Sequence, residues 1–329
     1  MQASLDLSRW REKPRGLSYR RWVIVSTGLR RLARGRFFRA LLIISWALAA
    51  LLAAAGFLCS QAASPGGSLD SLLGAFGARG AALASTLRAL LLLYPDVVVR
   101  TLFTFLFWLQ SYFALFLSLI ALTVLIPGLV TRDRASHALT VYLSRPLTSA
   151  DYLLGKFGII VGVLVLLWTG PLLLTWLLSI LFASDRDFAV YSAGPLLRAL
   201  LFNGIALAAL APLAMGISAL ARSARATIVV WLGLWLVAGF LANVPHMPDW
   251  MRRASFSHDL KELRSETLRL DQALSEAAAA LPLTSQRFVQ SLNTVGASTQ
   301  PVDAGGSAAG LAVLGGLSAL VFFRRLRSE

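Results

Sequence analysis

The amino-acid sequence predicts an all-α membrane protein with six transmembrane helices and with both termini in the cytoplasm. Of its 329 residues, 57% are hydrophobic and only 14% are charged, whereas soluble domains are about 45–50% apolar and about 25% charged. The apolar residues are gathered in six almost uncharged runs whose lengths suit a bilayer. Lys and Arg are more numerous on one side of these runs than on the other, which sets the orientation of the chain.

The six apolar runs are the predicted spans, since a spanning helix needs about 17 residues or more. They are residues 40–60, 101–130, 157–183, 196–220, 227–243 and 308–323. The last run is short and rich in Gly and Ala. The predicted organisation is a basic amino-terminal segment, five spans, a long outer loop, and a last span with a basic tail, at residues 1–39, 40–243, 244–307 and 308–329.

The positions of the basic residues indicate which side of the membrane each loop occupies. With both termini inside, the cytoplasmic pieces contain 20 of the 31 Lys and Arg residues, and the outer pieces contain 11. Basic loops are preferentially retained in the cytoplasm. We therefore expect a multi-pass protein of a bacterial inner or plasma membrane, with the polar segment 131–156 on the cytoplasmic side.

The amino-terminal segment 1–39 carries eleven Lys and Arg residues, and the whole chain has a net charge of +15. Because this charge flanks a membrane span and no nucleic-acid-binding module accompanies it, we expect contact with anionic lipid and none with nucleic acid. An amphipathic helix is predicted over 17–39, with Arg on one face and with an apolar face formed by Trp22, Val25, Leu29, Leu32 and Phe37. This helix has two compatible interpretations: an elbow helix packed against the bundle, or a basic anchor for the topology.

The long outer loop contains a predicted amphipathic helix at about 256–281. Apolar residues recur there at heptad spacing, and Thr267 is the one polar member of the seam. The members of the seam that are candidates for an interaction are Phe256, Leu260, Leu263, Leu270 and Leu274. Two arrangements would bury this seam: pairing outside the membrane, for example with a second copy of the chain, or packing on the chain's own bundle.

A polar hairpin at 131–156 separates the second and third spans. Its first part has helical spacing, and one face is formed by Ala135, Ala138, Leu139, Tyr142 and Leu143. Pro146 ends this helix, because the residue before a proline is pushed out of the helical region. A helix held between two spans has the right form to dock into a groove of a soluble partner. It is equally suited to lying on the inner leaflet through its arginines.

The second part of the hairpin is the start of the third span. Thr148 and Asp151 form a predicted capping box, in which each side chain bonds to a free backbone amide of the first turn. Tyr152 and Lys156 lie where interfacial anchors are found. The hairpin is therefore predicted to be a short helix, a turn that ends at a proline, and a capped helix start.

This hairpin carries the specific part of a resemblance to a known family. The residues LTVYLSRPLTSADYLLGK, preceded by LVTRDRASHA, resemble the segment after the second span in permease subunits of type-2 ABC exporters. That segment has a Leu-Ser-(Arg)-Pro run followed by Leu-Leu-Gly-Lys. The basic elbow before the first span and the plan of six spans are similar as well, so the resemblance covers most of the chain.

The resemblance implies that the hairpin contains a coupling helix, which sits in a cleft of an ATP-binding subunit and moves with it. Carried over to this chain, the docking helix is Asp133–Ser144. The residues that the resemblance implicates in coupling to the ATPase are Asp133, Ala135, Ala138, Leu139, Tyr142, Leu143, Ser144, Arg145, Pro146, Gly155 and Lys156. Many relatives have Glu just ahead of the helix, where this chain has Ser136 or His137.

The implied function is that of a non-catalytic permease subunit of an exporter, which moves a substrate outward or out of the bilayer. Its implied partners are two copies of an ATP-binding subunit and a second or sister permease. The sequence has no phosphate-loop motif and no recognisable catalytic, metal or cofactor motif, so ATP hydrolysis is expected in another chain. The alternatives are an assembly or scaffold protein that acts through 256–281, and a secondary transporter, for which ionisable groups inside the spans would be expected.

Overall fold

In a computed structural model, the described residues are 16–62, 74–75, 77–129, 131, 149–181, 183, 187–221, 223–243, 251, 255–280 and 303–327. Within these ranges the regular structure is entirely helical. The helices are α1 (Leu17–Ala33), α2 (Arg36–Ala62), α3 (Gly77–Leu93), α4 (Pro95–Leu125), α5 (Ser149–Leu164), α6 (Gly170–Leu181), α7 (Asp187–Leu220), α8 (Ala224–Asn243), α9 (Phe256–Leu268), α10 (Leu270–Ala280) and α11 (Ala304–Arg327). A 3₁₀ turn at Ile126–Gly128 extends α4, and a π-helical segment at Val165–Thr169 joins α5 to α6.

In the described part of the chain, six segments are long and apolar enough to cross a membrane, which confirms the six predicted spans. Spans 1 and 2 are α2 and α4, span 3 is α5 with the π-helical segment and α6, and spans 4, 5 and 6 are α7, α8 and α11. Spans 2 and 4 begin earlier than their apolar runs, at Pro95 and Asp187. A proline is preorganised for the first turn of a helix, and an acidic side chain there interacts favourably with the helix dipole.

The elbow helix α1 is separate from span 1, because the chain turns at Arg34 and Gly35. The amide of Arg34 still donates to the carbonyl of Arg30, and the amide of Gly35 donates to that of Leu32 at 2.9 Å. Helix α1 lies against the first half of span 3. It therefore packs on the bundle, as the elbow interpretation predicts.

The apolar interior forms two clusters along the bundle. The larger one includes Leu122, Ile160, Trp168 and Trp231 from spans 2, 3 and 5. The smaller one surrounds Phe103. The larger cluster reaches the end of the bundle where residues 131 and 149 lie, which we call the hairpin end. Large apolar side chains on the outside of the spans remain exposed, as expected for helices surrounded by lipid or by another membrane chain.

The segment predicted as one helix over 256–281 is in fact two helices. Arg269 separates α9 from α10 and adopts a left-handed conformation with a φ of 52°. Its amide donates to the carbonyl of Ser265 at 2.9 Å, which closes the last turn of α9. The prediction of a continuous helix was wrong at this point, because heptad spacing continues across the break and a left-handed residue is usually Gly or Asn.

Candidate functional site

The structure describes the two ends of the 131–156 hairpin, while residues 132–148 lie outside the described residues. The expected coupling residues Asp133, Ala135, Ala138, Leu139, Tyr142, Leu143, Ser144, Arg145 and Pro146 are in that range, as is Thr148 of the predicted capping box. Gly155 and Lys156 are described and lie in the first two turns of α5. The structure therefore shows how the hairpin is attached to the bundle at its two ends, which we call the attachment points.

The first attachment point is Thr131, whose hydroxyl is buried among three spans. It donates to the carbonyl of Ser218 at 2.7 Å and lies 3.1 Å from the hydroxyl of Thr227. The hydroxyl of Ser218 in turn donates to the carbonyl of Ile126 at 2.8 Å. Since these residues belong to spans 2, 4 and 5 or directly follow them, this hydroxyl cluster holds three spans together at the hairpin end.

The second attachment point is Asp151, whose carboxylate pairs with the elbow helix. Both Nε and Nη2 of Arg21 lie 2.7 Å from Oδ1 of Asp151. The Asp151 side chain is only 4% exposed, whereas that of Arg21 is 40% exposed. The ion pair is thus anchored by a buried carboxylate at the first turn of span 3, and hydrogen bonds between ionised groups of this kind are the strong ones.

Tyr152, which follows Asp151, joins the start of span 3 to the end of span 2 near Thr131. Its hydroxyl donates to the carbonyl of Leu129 at 3.2 Å, and its side chain is buried. The ammonium group of Lys156 lies 5.3 Å from the centroid of the Tyr152 ring, within the range of a cation–π interaction. The end of span 2 and the start of span 3 are therefore fixed side by side.

Three glycines on one face of α5 accommodate the elbow helix. A Cβ atom placed on Gly155 would lie 2.7 Å from Cγ2 of Ile24, one on Gly158 would lie 2.6 Å from Cγ2 of Val25, and one on Gly162 would lie 2.9 Å from Cδ1 of Leu29. The same close approach occurs in the other direction, where a Cβ atom on Gly28 would meet Ile159. The two helices therefore pack closely, because apolar side chains of α1 lie against the glycine positions of α5. The sequence analysis identified Val25 and Leu29 as apolar but did not identify this glycine face.

Span 3 is also joined to span 1 through its π-helical segment. Pro171 has no amide hydrogen, so the carbonyls of Leu166 and Leu167 lack the donor that an i+5 or i+4 bond would use. The indole Nε1 of Trp46 donates to the carbonyl of Leu166 at 3.0 Å, and the hydroxyl of Ser45 donates to that of Leu167 at 2.7 Å. Span 1 therefore supplies both missing donors.

Two further bonds continue this contact toward the other end of the bundle. The hydroxyls of Thr175 and Ser179 lie 3.2 and 3.3 Å from the carbonyls of Ala49 and Ala53, and each hydroxyl is shared with a nearer carbonyl of its own helix, at 3.0 and 2.7 Å. Gly56 lies so close to Ser179 that a Cβ atom there would meet the serine hydroxyl. Small residues and interhelical hydrogen bonds are the usual means by which membrane helices associate closely.

The two polar groups that the sequence places deep in the spans have different surroundings. The amide Nδ2 of Asn203 donates to the hydroxyl of Thr169 at 2.6 Å, which joins span 4 to the π-helical segment. The side chain of Gln110 is buried and makes no hydrogen bond with the described residues. Asn203 therefore has the structural role of an interhelical bond.

The five candidate interaction residues of the predicted helix 256–281 are all buried inside the chain. They are Phe256, Leu260, Leu263, Leu270 and Leu274. The ring of Phe256 lies 4.7 Å from that of Trp235 in span 5, and the hydroxyl of Ser255 donates to the carbonyl of Ala238 at 2.7 Å. At the other end, Thr101 of span 2 donates to the carbonyl of Ala273 at 3.2 Å. The seam thus packs on the chain's own spans, the second of the two arrangements considered above.

Comparison with known proteins agrees with this architecture. The sequence profile of a family described as "ABC-2 family transporter protein" matches residues 22–323. The matched range begins within the elbow helix and ends in span 6, so it includes all six spans and the whole hairpin. No curated protein matches the chain. The chain is a multi-pass membrane protein that belongs to the ABC-2 transporter family, and this family indicates the membrane permease of an ABC transporter.

Proposed function

We propose that this permease moves a substrate outward, or out of the bilayer, with energy from ATP that a separate ATP-binding subunit hydrolyses. The 131–156 hairpin is the element that couples the two chains. In this proposal the hairpin and both termini face the cytoplasm, where the basic residues of the chain are concentrated. The complex contains two ATP-binding subunits and a second or sister permease, as the family resemblance implies.

The observation that carries this proposal is that both ends of the hairpin are attached to the bundle by buried polar contacts. Thr131 bonds to Ser218 and Thr227, and Asp151 pairs with Arg21. A loop that merely connects two spans needs no such attachment. Because a buried hydrogen-bonded contact resists displacement, a force applied to the hairpin would move the helices to which its ends are fixed.

The two attachment points contact different groups of helices. Thr131 belongs to the contact among spans 2, 4 and 5, whereas Asp151 leads to the elbow helix and, along span 3, to span 1. A movement of the hairpin relative to the bundle would therefore act on two groups of spans at once. We infer that the hairpin transmits its movement to both groups together, and that the substrate leaves along the interface with the second permease.

The exposed apolar faces of the spans provide a surface for that second permease. Span 5 exposes Val229, Leu236 and Phe240, and span 2 exposes Phe113 and Phe116. These faces suit either lipid or another membrane chain. The scaffold alternative has less support, because the apolar seam of α9 and α10 is already buried within the chain.

The test is copurification of the tagged permease from its native membrane in a mild detergent, with mass spectrometry of the proteins that elute with it. We expect an ATPase with a phosphate-loop sequence to copurify with the wild type and to be lost from the variants Arg145→Glu and Leu143→Asp. The matched control is Arg225→Glu, which reverses an exposed arginine at the hairpin end outside the hairpin. Absence of an ATPase, or equal recovery with all three variants, would contradict the proposal.

A further inference from the structure

Helix α9 contains a buried cation that the proposed coupling mechanism does not use. Arg264 is only 4% exposed. Its guanidinium carbon lies 3.5 Å from the centroid of the Tyr112 ring and 5.7 Å from that of Trp108. The two rings are themselves in contact, with centroids 4.7 Å apart and an edge-to-face orientation. The guanidinium group is therefore held by an aromatic pair on span 2, which we call the aromatic pair 108/112.

Arg264 lies within the depth of the spans. The aromatic pair 108/112 is about 20–25 Å along span 2 from its first residue, Pro95, at 1.5 Å per residue. Helix α9 also contacts span 5 at Trp235 and Ala238, inside the part of that helix that is apolar enough to cross a membrane. An ionisable side chain at such a depth indicates a functional site by default, because its burial is costly.

The charge of Arg264 is not balanced by an acidic residue in the described part of the chain. No carboxylate of the described residues is found within 4.0 Å of the Arg264 guanidinium. The aromatic faces of Trp108 and Tyr112 attract a cation but carry no net negative charge. A bound anion would supply the missing charge.

The ring that contacts this cation is itself partly exposed on span 2. Tyr112 is 42% exposed, and Phe113 and Phe116 beside it are exposed as well. The guanidinium group is therefore one ring away from an exposed apolar surface. A ligand that reaches Arg264 past this ring must travel through an apolar environment, which favours an anionic group attached to an apolar tail.

We propose that Arg264 binds the anionic head group of an amphiphile that enters from the bilayer past Tyr112. A phosphate or a carboxylate would accept hydrogen bonds from the guanidinium group in its preferred paired geometry. The amphiphile is either a resident anionic phospholipid or the transported molecule. The assignment as cargo rests on the proposed function, whereas binding to the permease alone does not.

The first test uses the permease alone in nanodiscs of phosphatidylcholine with a minor fraction of phosphatidylglycerol. Native mass spectrometry counts the phosphatidylglycerol molecules that stay bound after the nanodisc is removed. We expect Arg264→Gln to weaken this binding about tenfold, the result of losing one charged hydrogen-bonding partner. Lys261→Gln is the matched control, since it removes an exposed charge from the same helix, and we expect it to retain wild-type binding.

A second variant keeps the test decisive if Arg264→Gln does not fold. Arg264→Lys preserves the charge and should lose only a few-fold in affinity, because lysine donates from a single point. Equal retention of phosphatidylglycerol and phosphatidylcholine by the wild type, or no change in Arg264→Gln, would overturn the proposal.

A second measurement distinguishes the two sources of the anion. The complex with its ATPase is isolated from the same nanodiscs with and without ATP and Mg²⁺. Retention of phosphatidylglycerol in both states identifies a resident lipid, and its loss on addition of ATP identifies a transported molecule; both results require the Arg264 site. Failure of the anion site would leave the copurification of the ATPase unchanged, so the two proposals fail separately.

Discussion

Individual side-chain hydroxyl and indole groups hold the bundle together by bonding to the backbone of a neighbouring helix. Ser45, Thr175, Thr131 and Trp231 each donate to a carbonyl in another span. In membrane proteins such a bond contributes about 0.6 kcal/mol on average. The contact between Arg21 and Asp151 differs in kind, because it joins two charged side chains and one of them is buried.

The first prediction concerns this ion pair. Arg21→Gln removes a charged hydrogen bond to the buried carboxylate of Asp151 and should lower the free energy of unfolding by about 1–3 kcal/mol. Thermal unfolding of the purified permease in detergent measures this change. Arg31→Gln, which removes an exposed arginine from the same helix, should have little effect. The exchange Arg21→Asp with Asp151→Arg should recover part of the loss, and equal melting of Arg21→Gln and Arg31→Gln would show that the pair does not contribute.

At the scale of elements, the contact between the elbow helix and span 3 depends on the absence of side chains at Gly155, Gly158 and Gly162. Ile24 and Val25 are branched at Cβ and have restricted rotamers, so they cannot easily move away from a new side chain. The contact is therefore sensitive to added volume on the glycine face. It is also the route by which the start of span 3 is tied to the amino terminus.

The second prediction uses this sensitivity. Gly155→Val should destabilise the permease by about 1–3 kcal/mol, because the new side chain would overlap Ile24. We expect the ATPase to copurify as before, while the ATP hydrolysed per substrate transported rises in the reconstituted complex. Gly233→Val is the control, since nothing lies within 4 Å of a Cβ atom there. If the ATP hydrolysed per substrate transported is the same in both variants, the glycine face does not contribute to coupling.

The third prediction concerns the π-helical segment of span 3. Ser45→Ala should lower the free energy of unfolding by about 0.5–1.5 kcal/mol, because the carbonyl of Leu167 loses the hydrogen bond from the Ser45 hydroxyl. In a Pro171→Ala background the restored amide of residue 171 can replace that donor, so the same substitution should cost less. A double-mutant cycle on thermal stability measures the difference. Ser85→Ala, whose hydroxyl bonds within its own helix, serves as the control, and additive effects of Ser45→Ala and Pro171→Ala would contradict this explanation.

The sequence predicts the elements of this fold better than their contacts. The six spans follow from hydropathy alone, because a bilayer admits few backbone structures. The heptad seam of 256–281 was equally compatible with self-pairing and with intrachain packing, and periodicity cannot distinguish them. Arg264 lies outside that seam, so periodicity gives no sign that it is buried beside Trp108 and Tyr112.

For the candidate site as well, the sequence predicts the position better than the contacts. The position of the hairpin follows from its polarity and from the family resemblance. Its attachment does not, because Arg21 is one of eleven basic residues in the first 39, and nothing in the sequence marks it as the partner of Asp151. Asp151 was assigned to a capping box with Thr148, which lies outside the described residues, and its pairing with Arg21 was not predicted.

At the scale of the whole molecule, the elbow helix, span 3 and span 1 form one connected group. The elbow helix is tied to span 3 by the Arg21–Asp151 pair and the glycine face, and span 3 is tied to span 1 by Ser45, Trp46 and Thr175. We expect these helices to move together during transport.

The fourth prediction tests this common movement with a cross-link. A Cβ atom on Gly158 would lie 3.8 Å from Cβ of Val25, which matches the spacing in a disulfide. Val25→Cys with Gly158→Cys, in a Cys59→Ala background, should therefore form a disulfide on oxidation. Transport should continue when the bond is closed, at the rate found after reduction. Loss of transport on oxidation, with recovery on reduction, would mean that the elbow helix must slide on span 3.

The bond between Tyr152 and Leu129 fixes the spacing of the two points from which residues 132–148 leave the bundle and return to it. Residues 132–148 are therefore inserted between two fixed points, and exchanging them for the corresponding segment of a related permease, with its length and two ends kept, should leave the spans unchanged. Under the coupling proposed above, such an exchange would redirect the pairing with an ATPase independently of what the permease carries.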